Sequence, residues 1–148
     1  MQSEEPRWLE VDEIIELDRL IVESTGEPFG ILDYGLLNSA MARPINRYLY
    51  DEEQDVVSLA VCLLFGIARN HAFMQGNKRT GFEAALVFLE VNGYELQIAD
   101  HPYLGVMIEQ AVARKISEYD FEEAIRPFVL ALPQPADASS PADVSSRG

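Results

Sequence analysis

Apolar residues recur at helical spacing along most of this chain. In VDEIIELDRLIVEST, Val11, Ile14, Ile15 and Ile21 share a face, Leu17 and Leu20 widen it, and Gly26 and Pro28 end the segment. After the loop EPFGIL, Asp33 stands where it can cap a short helix carrying Leu36, Leu37, Ala40 and Met41, which Pro44 is expected to stop near Arg43. From about Gln54 to Asn70 the pattern changes. Val56, Val57, Leu59, Val61, Leu63, Leu64, Phe65 and Ile67 leave almost no polar face, which predicts a helix in the middle of a bundle. The stretch HAFMQGNKRTG interrupts it. Helical spacing then resumes through Phe82, Ala85, Leu86 and Leu89 and stops at Asn92-Gly93. YELQIAD is too short to anchor a sheet and reads as an extended connector or half of a small hairpin. HPYLGVMIEQAVARK and DFEEAIRPFVLAL predict two more helices, with Pro102 near a first turn and Pro127 marking a kink or break. The predicted fold class is all-α, a compact helical bundle with a motif loop between two central helices.

Composition adds boundaries to this picture. The 148 residues make one domain, expected over residues 1–132. After Leu132 the chain becomes PQPADASSPADVSSRG, rich in Pro, Ser and Ala, so residues 133–148 are expected to be a disordered tail. The formal net charge of -14 disfavours nonspecific binding to nucleic acid or an anionic membrane. An anionic ligand would need a locally positive pocket. The single cysteine, Cys62, lies in an apolar run and reads as a core residue, which excludes a disulfide framework. The stretch MQSEEPRWLE shows no apolar signal region, and no apolar run reaches the roughly 18 residues of a membrane span, so a cytoplasmic setting is expected.

HAFMQGNKRTG concentrates the candidate chemistry. The turn precedes a helix, where unpaired N–H groups and the positive end of the macrodipole form an anion site. Gly76 permits close approach, and Asn77 can cap the helix or donate an amide hydrogen bond. Lys78 and Arg79 put two cations where the dipole disfavours them, which suggests a bound anion. His71 can serve as a general base near neutral pH. Together these suit attack of a hydroxyl on a nucleotide phosphate. Spacing alone also allows an ordinary solvated turn with a structural histidine. Arg69 either faces the phosphates or satisfies a helix C-terminus, and Trp8 reads as a plug at the core edge.

The stretch H-A-F-M-Q-G-N-K-R-T resembles the Fic/Doc family. Fic proteins carry H-P-F-x-[D/E]-G-N-G-R-x-x-R and Doc-like toxins carry H-x-F-x-D-[G/A]-N-K-R-T. Lys78 stands where Fic enzymes have the second motif glycine and Phe82 where they have the second arginine, so both departures point to the Doc branch. GILDYGLLNSAMARP, ARNHAF and AALVFLEVNGYEL extend the likeness over about Val11 to Phe128. The resemblance implies a helical bundle of the Fic/Doc type with His71 activating a target hydroxyl. It implies that Gly76, Asn77, Lys78 and Arg79 hold the phosphates of ATP and that Phe73 anchors the loop. It further implies a toxin that passes the γ-phosphate to translation elongation factor Tu and is restrained by a Phd-type antitoxin. Adenylyl transfer of the Fic type is the alternative. Gln75 occupies the position of the acidic residue that helps to hold Mg²⁺, and a neutral amide is a poorer ligand. A catalytically silent binding module is therefore a further alternative. The self-inhibiting pattern [S/T]-x-x-x-E-[G/N] is absent, so inhibition is expected to come from a partner.

Overall fold

A computed structural model describes residues 4–98 and 101–133. The expected tail falls, from residue 134 onward, outside the described residues. Helix α1 spans Val11–Thr25, opened by a reciprocal cap between Glu10 and Glu13 and closed by Gly26 at φ 76°. Its buried residues are Ile14, Asp18 and Val22, spaced by one turn, whereas Leu20 of the expected stripe is exposed. A carboxylate thus lies on the face that the apolar pattern assigned to the core.

Helix α2 spans Tyr34–Tyr50, and the Asp33 carboxylate accepts from the Leu36 N–H at 3.0 Å as expected of a cap. The stop expected at Arg43 does not occur, because α2 runs through Pro44. The carbonyl that Pro44 has no N–H to serve belongs to Ala40. It faces Gly66 of α3, where a β-carbon would come within 3.3 Å of its oxygen. Close helix packing on a buried proline prevails over the roughly 3 kcal/mol that an interior proline costs.

Helix α3, Val56–Asn70, is buried at every residue from Val57 to Ala68, as its all-round apolar pattern predicted. Asp55 caps it through the Val57 N–H at 2.8 Å. Helix α4 spans Asn77–Val91 and lies directly against α3. The two helices come close at Gly81, where a β-carbon would lie 2.6 Å from the Leu64 carbonyl oxygen. Phe65 of α3 meets Phe121 edge-to-face at 5.3 Å, and Trp8 sits 5.8 Å from both Tyr48 and Phe88 at the core edge. Cys62 is fully buried.

Helices α5 (His101–Val112) and α6 (Glu118–Ile125) follow, α6 being capped by Ser117 and Asp120. The break expected at Pro127 is present: α6 ends at Ile125 and a single 3-10 turn, Arg126–Phe128, follows. The chain then forms strand β2 (Val129–Ala131), which pairs antiparallel with β1 (Tyr94–Leu96). The first three residues of YELQIAD, Tyr94–Leu96, are therefore one strand of a two-stranded ribbon closed by residues far along the chain. The fold is all-α apart from this ribbon. No helix among the described residues is long and apolar enough to cross a membrane.

Gly81→Ala forces α4 away from α3 and is expected to cost about 1–3 kcal/mol of stability, read by urea unfolding. An unchanged midpoint would mean that the two helices are not packed this closely.

Candidate active site

The site begins where α3 ends. His71 takes the left-handed conformation, φ 53° and ψ 41°, at the C-terminal cap of α3. Glycine is the ordinary residue for that conformation, and a β-carbon there carries strain. The chain keeps an imidazole at a position where local stability favours glycine.

The five residues after His71 are fastened from two sides. Leu32 N–H donates to the Ala72 carbonyl at 2.7 Å and Met74 N–H to the Gly30 carbonyl at 2.8 Å, so Ile31 and Phe73 form one antiparallel bridge. On the other side the Asn77 carboxamide closes on both backbone groups of Phe73. It accepts from the N–H at 3.0 Å and donates to the carbonyl at 2.9 Å. Phe73 is buried beside Phe29, so it anchors the loop in the core. The Asn77 side chain is thus engaged within the loop, and what Asn77 can offer a ligand is its backbone N–H.

Gly76 turns the chain into α4 at φ 81°. A β-carbon there would also crowd Val22 at 3.0 Å and Asp18 at 3.1 Å. No side chain caps α4, and its first internal bond runs from Thr80 N–H to the Gly76 carbonyl at 2.8 Å. The N–H groups of Asn77, Lys78 and Arg79 therefore precede the first intrahelical donor. One cleft of about 480 Å³ is lined by His71, Gln75, Gly76, Asn77, Lys78 and Arg79 together. All six residues singled out in the sequence share it.

Carboxylates from distant segments complete the site. Lys78 Nζ lies 3.1 Å from Glu109 of α5, which also lines the cleft, and Arg79 lies 2.5 Å from Glu27. Hydrogen bonds from Arg79 and then Thr25 hold the Glu27 carboxyl below the usual range. Beneath the turn, Thr80 Oγ donates to the buried Asp18 carboxylate at 2.7 Å, while the second Asp18 oxygen is buried with no partner. Burial pushes the Asp18 pKa up, against the opposing influence of Thr80 and Arg79. Arg69 turns away from the cleft. It pairs with Glu118, donates to the Ala111 carbonyl at 2.6 Å and stacks over Phe65. Asp18, Glu27 and Glu109 carried no sequence signal, since each meets the motif only in three dimensions.

A family model described as Fic/DOC family matches residues 8–89, which include every cleft residue above except Glu109. Toxin Doc of Mycolicibacterium smegmatis is 44% identical over 86 residues, covering 54% of this chain and 66% of that protein's length. Protein kinase doc of Escherichia phage P1 is 30% identical over 120 residues, covering 81% of this chain and 94% of that protein.

The buried Asp18 sets a pH dependence. Its folded pKa lies above the ordinary 3.8. Between those two values the unfolded chain has lost the proton while the folded chain still holds it. Stability therefore falls as pH rises through that window and then levels off. Asp18→Asn keeps an oxygen for Thr80 and cannot ionise. Its stability relative to wild type is expected to improve from acidic to neutral pH in urea titrations, and a pH-independent difference would contradict the assignment.

Proposed function

Since the chain belongs to the Fic/DOC family, we propose that it is a Doc-type toxin that transfers the terminal phosphate of ATP to a hydroxyl side chain of a protein target. The supporting observation is that His71 at the end of α3 and the uncapped start of α4 line the same cleft. Phosphoryl transfer needs little covalent chemistry from the protein and much positioning, which a loop fastened at Phe73 and Asn77 supplies. His71 accepts the proton of the target hydroxyl as its oxygen attacks the terminal phosphorus. The bond to the bridging oxygen breaks and ADP leaves. The N–H groups at the start of α4, with Lys78 and Arg79, hold the phosphate oxygens and take up the charge that develops on them.

A magnesium ion supplies charge neutralisation when bound with the nucleotide. Among the described residues no three His, Cys, Asp or Glu side chains converge on a metal position. The cleft offers the Gln75 amide oxygen and the Glu109 carboxylate. Magnesium often takes one or two carboxylates and completes its shell with phosphates and water, so this set fits an ion that arrives with its nucleotide. By family resemblance the target is elongation factor Tu, the setting is cytoplasmic and the restraining partner is a Phd-type antitoxin. An acidic body favours a basic surface on that partner and no direct nucleic-acid contact.

Two observations favour a second reading, a silent binding module. Gln75 is neutral, and both motif cations already carry carboxylate partners. Gln75→Asp distinguishes the two: a transfer rate of the same order supports the toxin, and a large gain supports an impaired native site.

The direct test supplies ATP labelled at the γ or the α position together with elongation factor Tu. Label from the γ position is expected on the target, and label from the α position would mean adenylyl transfer. His71→Gly removes the imidazole at a position where glycine is conformationally preferred. It is expected to lose at least about 100-fold in transfer with an unchanged or raised Tm. Full transfer by this variant would remove His71 from the mechanism.

A further inference from the structure

Among the described residues Asp18 is the only buried carboxylate, and the transfer reading above gives it no task. It lies one turn from Ile14 and one from Val22 on the buried face of α1, where an aliphatic side chain would fill the space without desolvating a charge. Thr80 does not require it either. A threonine hydroxyl inside a helix can donate to the carbonyl one turn earlier, here that of Gly76. Thr80 Oγ1 donates to Asp18 Oδ1 at 2.7 Å instead, and Asp18 Oδ2 is left buried without a partner. Local packing therefore does not explain the carboxyl group.

Its surroundings belong to the phosphate turn. A β-carbon at Gly76 would lie 3.1 Å from Asp18 Oδ1 and 3.7 Å from Arg79 Nη2, so carboxylate and guanidinium close on one point beneath the loop. Among the described residues, the charged groups that act on Asp18 are Arg79 of α4 and Glu27 of the segment after α1. None comes from α2, the other helix against α1. Arg19, next along α1, pairs with Glu16 and lies over Phe29. Burial favours the neutral form of Asp18, Thr80 and Arg79 favour the ionised form, and Glu27 opposes it. Arg79 is thus the cation that offsets an ionised Asp18, and it also lines the motif cleft.

We propose that Asp18 is a positioning residue of the phosphate turn, and that its carboxylate takes up a proton from solvent when an anion binds at the start of α4. This rests on the phosphate-transfer reading above and extends it. An anion that engages the Arg79 guanidinium withdraws the charge offsetting Asp18 and places a negative charge above it. Both effects favour the neutral acid. The proton settles on Oδ2 while Oδ1 goes on accepting from Thr80, so the first turn of α4 keeps its tie to α1 in either form. Linkage is reciprocal: a proton on Asp18 raises anion affinity by the factor by which the anion tightens the hold on that proton. Nucleotide affinity is therefore expected to be highest at acidic pH and to fall as Asp18 ionises.

The test titrates ATP with magnesium into wild type, Asp18→Asn and Thr80→Val by calorimetry, in buffers of different ionisation enthalpy, from acidic to neutral pH. His71, Glu27 and the nucleotide's own phosphate can also exchange protons, but they are common to all three proteins. Wild type is expected to take up more protons per ATP than Asp18→Asn. Its affinity is expected to fall at least about fivefold toward neutral pH beyond any change in that variant. Thr80→Val loses the hydrogen bond that favours the ionised form, so its extra uptake is expected at higher pH than in wild type. A purely structural Asp18 would alter affinity or Tm in the variants and leave the proton count unmoved. Equal uptake by wild type and Asp18→Asn at every pH, or an unshifted range in Thr80→Val, would overturn the proposal and leave the phosphate site standing. Wild type that binds no ATP would overturn the phosphate-transfer reading and this proposal with it.

Discussion

Gly81 lies so near α3 that a β-carbon would come within 2.6 Å of the Leu64 carbonyl oxygen, and the site depends on this approach. With α4 laid directly on the buried α3, the last residue of one helix and the first turn of the other must fall at one corner. Five residues, Ala72 to Gly76, then suffice to join them. A loop so short cannot satisfy its own backbone, so it borrows partners: Gly30 and Leu32 on one side, the Asn77 carboxamide on the other. Tight packing of two helices thereby becomes a rigid placement of an imidazole opposite unpaired N–H groups.

Charge is arranged around the same corner. In a chain with 25 acidic and 11 basic residues, the two cations of the turn are each met by a carboxylate from a segment distant in sequence. Exposed pairs of this kind are weak, so an anion with several oxygens competes with them effectively. Asp18 differs because it is buried beneath the turn with one oxygen unpartnered, a destabilising arrangement kept next to Gly76 and Thr80. Its position ties α1 to the first turn of α4. Arg69, two residues before His71, serves the fold instead, joining α3 to α5 and α6 through Ala111 and Glu118.

Much of this was legible along the chain. Helices α1, α3 and α4 follow from apolar spacing and from stops such as Gly26 and Asn92-Gly93, which act within a few residues of themselves. The motif residues were legible because their chemistry is compressed into one turn. Pro44 was misjudged because the cost it imposes is local while the packing against Gly66 that offsets it is not. The extended β1 was anticipated, but its pairing with β2 escaped for the same reason, since Tyr94 and Ala131 are strangers in sequence.

Sequence by itself determined which segments are helical, which of them is central, and that one turn holds an imidazole, a glycine and two cations. Tertiary structure alone decided that Asn77 clamps the loop, that Glu27 and Glu109 meet the cations, and that Asp18 is buried beneath them. The division has a physical cause: periodicity and capping act over a few residues, whereas burial, pairing and cavity shape arise only when remote segments meet.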